Sequence, residues 1–145
     1  PAPGGAGRGG VILRSLLTPA LGVPSMRAIR GATAVPVDTP EEVAIAVREL
    51  LATLKHENAL RHDEVVSAIF TVTPDLVSAF PAEAARAAGW EHVPLLCTTE
   101  IPVPDGLPRC LRVMLHVERR WNGTRPRHVY LREAERLRPD LGKAR

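Results

Sequence analysis

Aromatic residues make up only 3% of this 145-residue chain, so its core must be built from Val, Leu, Ile and Ala. A single domain of this length with so few large rings can gain stability by burying surface between subunits. Cysteine is scarce as well. Cys97 and Cys110 show no CxxC spacing and belong to no metal-ligand cluster, which excludes a disulfide framework and a zinc site. Both read as free thiols of a reducing, cytoplasmic compartment. No apolar run reaches the ~18 residues that a membrane span needs. A large excess of charge is missing too. The formal net charge is +3, and because Arg8 and Arg14 lie in the first 25 residues, residues 26–145 carry only +1. That balance argues against a nucleic-acid partner.

What is present is arginine. Only Lys55 and Lys143 are lysines, and the guanidinium is the planar, permanently charged fork that suits carboxylates. For the exposed arginines a biased composition is explanation enough. Residues 1–25 are rich in Gly, Pro and Ala and read as a disordered extension. Arg14 splits their apolar stretch, which argues against a secretory signal. A folded domain is expected over 26–141, with 142–145 as a frayed tail.

Within that domain Met26–Val35 suits a strand. Thr39-Pro40-Glu41-Glu42 starts a helix: Thr39 caps, Pro40 fits the first helical position and Glu42 completes a capping box. Val43, Val47, Leu50, Leu51 and Leu54 then form one buried stripe that fades near Asn58. Val65–Val72 reads as a second strand. Pro81–Ala88 is a short helix stopped by Gly89, and Val93–Thr98 is a third strand. In the fourth strand, Arg109–Glu118, alternation puts Cys110, Arg112, Met114 and His116 on one face, with Leu111, Val113, Leu115 and Val117 on the other. Asn122-Gly123 marks a turn, Arg127–Leu131 a fifth strand, and Leu137–Leu141 a helical turn. There are no internal repeats. This order indicates one α+β domain, a mixed β-sheet with helices on one face.

The odd features are polar residues on apolar strands: Arg30 in the first, Glu100 just past the third, Arg112 in the fourth and Tyr130 in the fifth. A charge in a strand must be paired, solvated or functional. Two arginines converging on a cleft would suit a substrate with carboxylates.

Several strings carry a specific resemblance. Arg30-Gly31-Ala32-Thr33, Thr73-Pro74-Asp75-Leu76, Phe80-Pro81-Ala82, Val93-Pro94, Cys97, Glu100, Cys110-Leu111-Arg112-Val113-Met114, Arg127-His128-Val129-Tyr130-Leu131 and Leu137-Arg138-Pro139-Asp140-Leu141 occur in this order. Together they span essentially all of 26–141, and the chain resembles the small homotrimeric chorismate mutases. The resemblance implies a chorismate-mutase-like (ferredoxin-like) fold, three copies forming a pseudo-α/β barrel with active sites at the subunit clefts. It also implies the rearrangement of chorismate to prephenate on the route to phenylalanine and tyrosine, with no cofactor and no metal. By the same analogy Arg112 is the main electrostatic catalyst at the ether oxygen. Arg30 binds a substrate carboxylate and Tyr130 assists it. Glu100 and the backbone of Cys97 engage the ring hydroxyl, Phe80 and Leu137 line the pocket, and Arg86 and Arg138 add positive potential at its mouth. Phe80 and Arg86 would come from one side of the subunit boundary and most of the others from the neighbour.

Two departures from the family pattern stand out. Glu83 occupies a position where a Lys is familiar, and is expected to face solvent or pair with Arg86. Leu96 replaces a small polar residue. His116, His128, Trp90 and Trp121 read as structural, and Arg119-Arg120 as a solvated flank of a turn. Two other functions compete: an enamine/imine deaminase on a similar trimeric scaffold, whose motifs are absent, and an Arg-rich nucleic-acid module over Arg109–Arg145, which lacks interleaved aromatics.

Overall fold

The structure, a computed structural model, describes residues 22–142. Five strands form one sheet: β1 (Ser25–Ala34), β2 (Val65–Val72), β3 (Leu95–Thr99), β4 (Cys110–Arg119) and β5 (Val129–Tyr130), in the order β3-β2-β4-β1-β5. β4 runs antiparallel to both β1 and β2, while the outer pairs β2–β3 and β1–β5 are parallel. The sheet is mixed, as the sequence indicated.

One face is covered by α1 (Pro40–Glu57), which packs against α2 (Pro81–Ala85). Thr39 caps α1 with extended backbone, its Oγ1 accepting from the Glu42 N–H at 3.2 Å, and Pro40 follows at the first helical position. Only half of the expected capping box forms, because the Thr39 N–H donates to the Val37 carbonyl instead. Val43, Val47, Leu50, Leu51 and Leu54 are buried as one stripe. They meet Ile29, Ala68, Phe70, Val113, Leu115 and Val117 in a single core. Gly31 lets the helix come this close: a Cβ there would lie 2.8 Å from Leu54 Cδ1 and 3.1 Å from Leu50 Cδ1.

The end of α1 is tied down by Asn58, whose signal in the sequence is weak. Its Nδ2 donates to the carbonyls of Leu54 and Arg127, each at 2.9 Å, and its Oδ1 accepts from the Arg127 N–H at 2.8 Å. This explains why β5 is only two residues long rather than the expected Arg127–Leu131. Arg127 spends its N–H on a side chain, and His128 uses its ring Nδ1 to accept from the Arg30 N–H at 2.9 Å. The short second helix also differs from expectation. It gives way at Arg86 to a wider π turn over Arg86–Trp90, in which Gly89 takes φ +94°. β3 starts at Leu95 rather than Val93, since Pro94 has no N–H for the ladder.

Asn122 and Gly123 both have positive φ, and the Thr124 N–H donates to the Trp121 carbonyl at 2.8 Å. This is the tight turn that the sequence suggested. Trp90 and Trp121 pack as expected; both are buried. Arg119 corrects the reading of a solvated flank. It pairs with Glu64 at 2.9 Å, donates to the Asn58 carbonyl at 2.7 Å and lies over the Trp121 ring. Arg120 is exposed. For residues 1–21 and 143–145 the expectations of an extension and a frayed tail lie outside the described residues. Ahead of Met26, the Gly22 N–H donates to Asn122 Oδ1, and the Ser25 carbonyl accepts from Trp121 Nε1.

Candidate active site

Among the described residues no long helix covers the opposite face of the sheet. Its floor follows from strand register. Thr98, Thr71, Arg112, Ala32 and Tyr130 are successive lateral neighbours across all five strands. In the next row Arg30 of β1 sits beside Met114 of β4 and Ile69 of β2. Period-two alternation turns all of these away from the core. The two guanidiniums are therefore diagonal neighbours on adjacent strands. A hollow of about 460 Å³ opens there, lined by Arg30, Ile69, Thr71, Arg112, Met114 and Tyr130 among others.

One carboxylate reaches this floor. Glu100 follows the end of β3, its backbone N–H donating to the Val72 carbonyl at 2.9 Å. Its Oε1 takes the Arg112 Nε at 2.7 Å and the Thr71 hydroxyl at 2.6 Å. The Arg112 side chain is 47% exposed and that of Glu100 15% exposed, so the guanidinium keeps its remaining donors toward the hollow while the acid is largely enclosed. At the other end, Tyr130 and Ala32 pack with Ala134, Leu107, Leu137 and Leu141. The C-terminal turns, including the short α3 (Pro139–Gly142), thus pack against Ala32 and Tyr130 at one end of the hollow, though Leu137 and Arg138 are not among its lining residues. Arg138 stands close enough for its charge to act on His128 and Tyr130. It is held in a bidentate pair with Asp140, at 3.0 and 2.8 Å.

The structure thus brings together Arg30, Arg112, Glu100 and Tyr130, with Leu137 and Arg138 at the Tyr130 end. Phe80, Arg86 and Cys97 do not line the hollow. Phe80 directly precedes α2 and is 65% exposed, an unusual position for a ring in a chain with so few. Arg86 is exposed, with no ion pair among the described residues. The Cys97 side chain packs against the core beneath the sheet. Its backbone is another matter. β3 is an edge strand, and since the Glu100 N–H points inward to β2, ladder alternation turns the Cys97 N–H and C=O toward the free edge. Glu83 is exposed, with no ion pair to Arg86 among the described residues. Leu96 is exposed too, one row from Thr98 on the open face.

Sequence reasoning missed Thr71 and Ile69 as parts of the floor, and it put Met114 on the Arg112 face without giving it a part in the site. Their signal was alternation within their strands, but only the register shows which rows they share with the arginines. His116 also lines the hollow, its Nδ1 bonded to Ser67 Oγ at 3.0 Å. Burial pushes the Cys110 thiol up despite the nearby Arg112, so it behaves as a protonated core residue.

Two guanidiniums, one carboxylate and one phenol on an open sheet face define an enzyme-like site for a small substrate bearing carboxylates. The family described as chorismate mutase type I matches residues 26–141. The chain is similar to the chorismate mutase AroH of Thermus thermophilus, 52% identical over 124 residues that cover 82% of this chain and 98% of that protein. It is also similar to the chorismate mutase AroH of Bacillus subtilis (strain 168), 43% identical over 117 residues, 80% of this chain and 92% of that one. Among solved structures, a chorismate mutase from Clostridium thermocellum superposes with a TM-score of 0.68 at 44% identity, covering 75% of this chain and 97% of that one. The chain belongs to the type I chorismate mutase family.

Proposed function

We propose that this chain converts chorismate to prephenate by a [3,3] rearrangement on the open face of the sheet. In that reaction an ether C–O bond breaks as a C–C bond forms, in one cyclic movement of electrons. No proton is transferred, so no nucleophile or general base is required. The barrier has two sources: holding chorismate in its compact diaxial conformer, and the negative charge that builds on the departing ether oxygen. Positioning addresses the first. A cation fixed before the reaction starts addresses the second, because it acts mainly on the transition state.

The observation that carries this reading is Arg112. It stands on β4, the middle strand of the five, so neighbours on both sides fix its Cα. Its Nε is taken by Glu100 at 2.7 Å, which leaves the Nη donors for the ether oxygen. Arg30, one row away, anchors a substrate carboxylate, and Tyr130 assists at that end. Glu100 Oε2 and the outward backbone of Cys97 take the ring hydroxyl. Leu137 packs at the Tyr130 end, and Arg138 contributes positive potential while remaining paired with Asp140.

Phe80 and Arg86 belong to this scheme as contributions from a neighbouring subunit in a homotrimer. Their exposure and their absence from the hollow of their own chain support that arrangement, as do the exposed Leu96, Ile101 and Val103 at and beyond the free β3 edge.

The test is direct. Purified protein added to chorismate should remove its ultraviolet absorbance and yield prephenate at a rate proportional to protein concentration. A rate no higher than buffer alone refutes the function.

A further inference from the structure

We propose that Thr71 is a positioning residue for this reaction, one that fixes Glu100 so that Arg112 stays available. The proposal rests on the reading of Glu100 and Arg112 given above. Thr71 and Arg112 are lateral neighbours on β2 and β4, and both bind the same carboxylate oxygen. Glu100 Oε1 receives the Thr71 hydroxyl at 2.6 Å and the Arg112 Nε at 2.7 Å. Two donors on one oxygen leave Oε2 for the substrate hydroxyl.

The geometry also prevents something. A carboxylate beside a guanidinium tends to adopt the bidentate fork, one oxygen on Nε and the other on an Nη. That fork would occupy a donor meant for the ether oxygen. Thr71 pulls Oε1 to its own side and resists the rotation. The Glu100 backbone is held by its N–H on the Val72 carbonyl at 2.9 Å, and among the described residues only Thr71 and Arg112 bind its carboxylate. A threonine suits the task because its branched Cβ restricts χ1, which directs the hydroxyl.

Thr71→Val keeps the shape and the strand preference while removing the donor. It should lower kcat roughly tenfold with KM changed less than about threefold, and Thr71→Ser should recover kcat to within about twofold of wild type. In a Glu100→Gln background, Thr71→Val should lower kcat no further, because the group it positions has gone. Circular dichroism and Tm monitor folding, and Thr71→Ala removes the same hydroxyl should valine disturb the strand. Wild-type kcat in both Thr71→Val and Thr71→Ala overturns the proposal. So does an undiminished loss in the Glu100→Gln background, which would mark Thr71 as a residue of general structure. If Glu100→Gln alone leaves kcat intact, it is the underlying role of Glu100 that falls.

Discussion

The two faces of the sheet are made by the same strands yet obey opposite rules. On the covered face Ile29, Phe70, Val113 and Leu115 meet the stripe of α1, and nearly every side chain is fully buried and apolar. It accommodates the helix at Gly31, where even a methyl group would press into the leucines of α1, and it holds one buried hydroxyl, that of Thr33. On the open face the same strands present Arg30, Thr71, Arg112 and, beside β1, Tyr130. Charge survives there because water, a carboxylate or a ligand can satisfy it. The contrast separates stability from catalysis residue by residue: neighbours along one strand, such as Arg112 and Val113, belong to different problems.

That separation can be broken from either side. The largest effect is expected from Leu50→Ala, beneath the covered face. Leu50 is fully buried in the core, so its loss should cost about 2–5 kcal/mol of unfolding free energy through transfer and cavity effects. Denaturant titration measures this, and kcat per folded molecule should remain near wild type. A large fall in kcat with little loss of stability would show that the two faces are not independent.

Arg112→Ala is the converse. It should lower kcat by roughly 10²–10³, comparable to removing a donor from an oxyanion hole, or about 3–4 kcal/mol of barrier. Its half-exposed side chain contributes little to packing, so Tm should move by only a few degrees. A near-normal rate would remove Arg112 from the mechanism. A collapse of the fold would make it a structural arginine.

The covered face was legible from the sequence because burial imposes periodicity. The helical stripe from Val43 to Leu54 and the alternation of β4 are both visible as spacing, and Thr39-Pro40 marks where the helix begins. The open face was legible only in part. Arg112 and Arg30 stand out because a charge in an apolar strand demands a reason, but the link from Thr71 to Glu100 depends on register and on a loop. Spacing in sequence encodes neither. β5 shows the limit from another side. Its residues read as a longer strand, yet Asn58 and His128 replace ladder bonds with side-chain bonds. A side chain that imitates backbone leaves no periodic trace. Phe80, Arg86 and Leu96 were assigned through resemblance, and a single chain gives them no shared cleft.

His128 provides the smallest and most specific test, at the seam where the open face meets β5. Its Nδ1 accepts from the Arg30 N–H at 2.9 Å, so that nitrogen must be unprotonated in the folded protein. Burial holds its pKa below the ordinary 6.5, and the positive charges of Arg30 and Arg138 add to the effect. The unfolded chain therefore takes up a proton near that ordinary value, whereas the folded chain does so only at lower pH. Within that window the unfolded state binds more protons, so stability rises with pH. The contribution is complete above about 6.5 and is lost as pH falls through the folded value, with a slope that one proton limits to about 1.4 kcal/mol per pH unit. Asp38 and Asp140, whose carboxyls are held below their ordinary 3.8 by hydrogen bonds, act in a separate and more acidic window. Tm measured from pH 7 to 5 should decline in the wild type. The decline should flatten in His128→Asn, which can still accept from Arg30 but cannot titrate. An unchanged decline in that variant would place the proton elsewhere and leave His128 as a spacer between β5 and the arginine it supports.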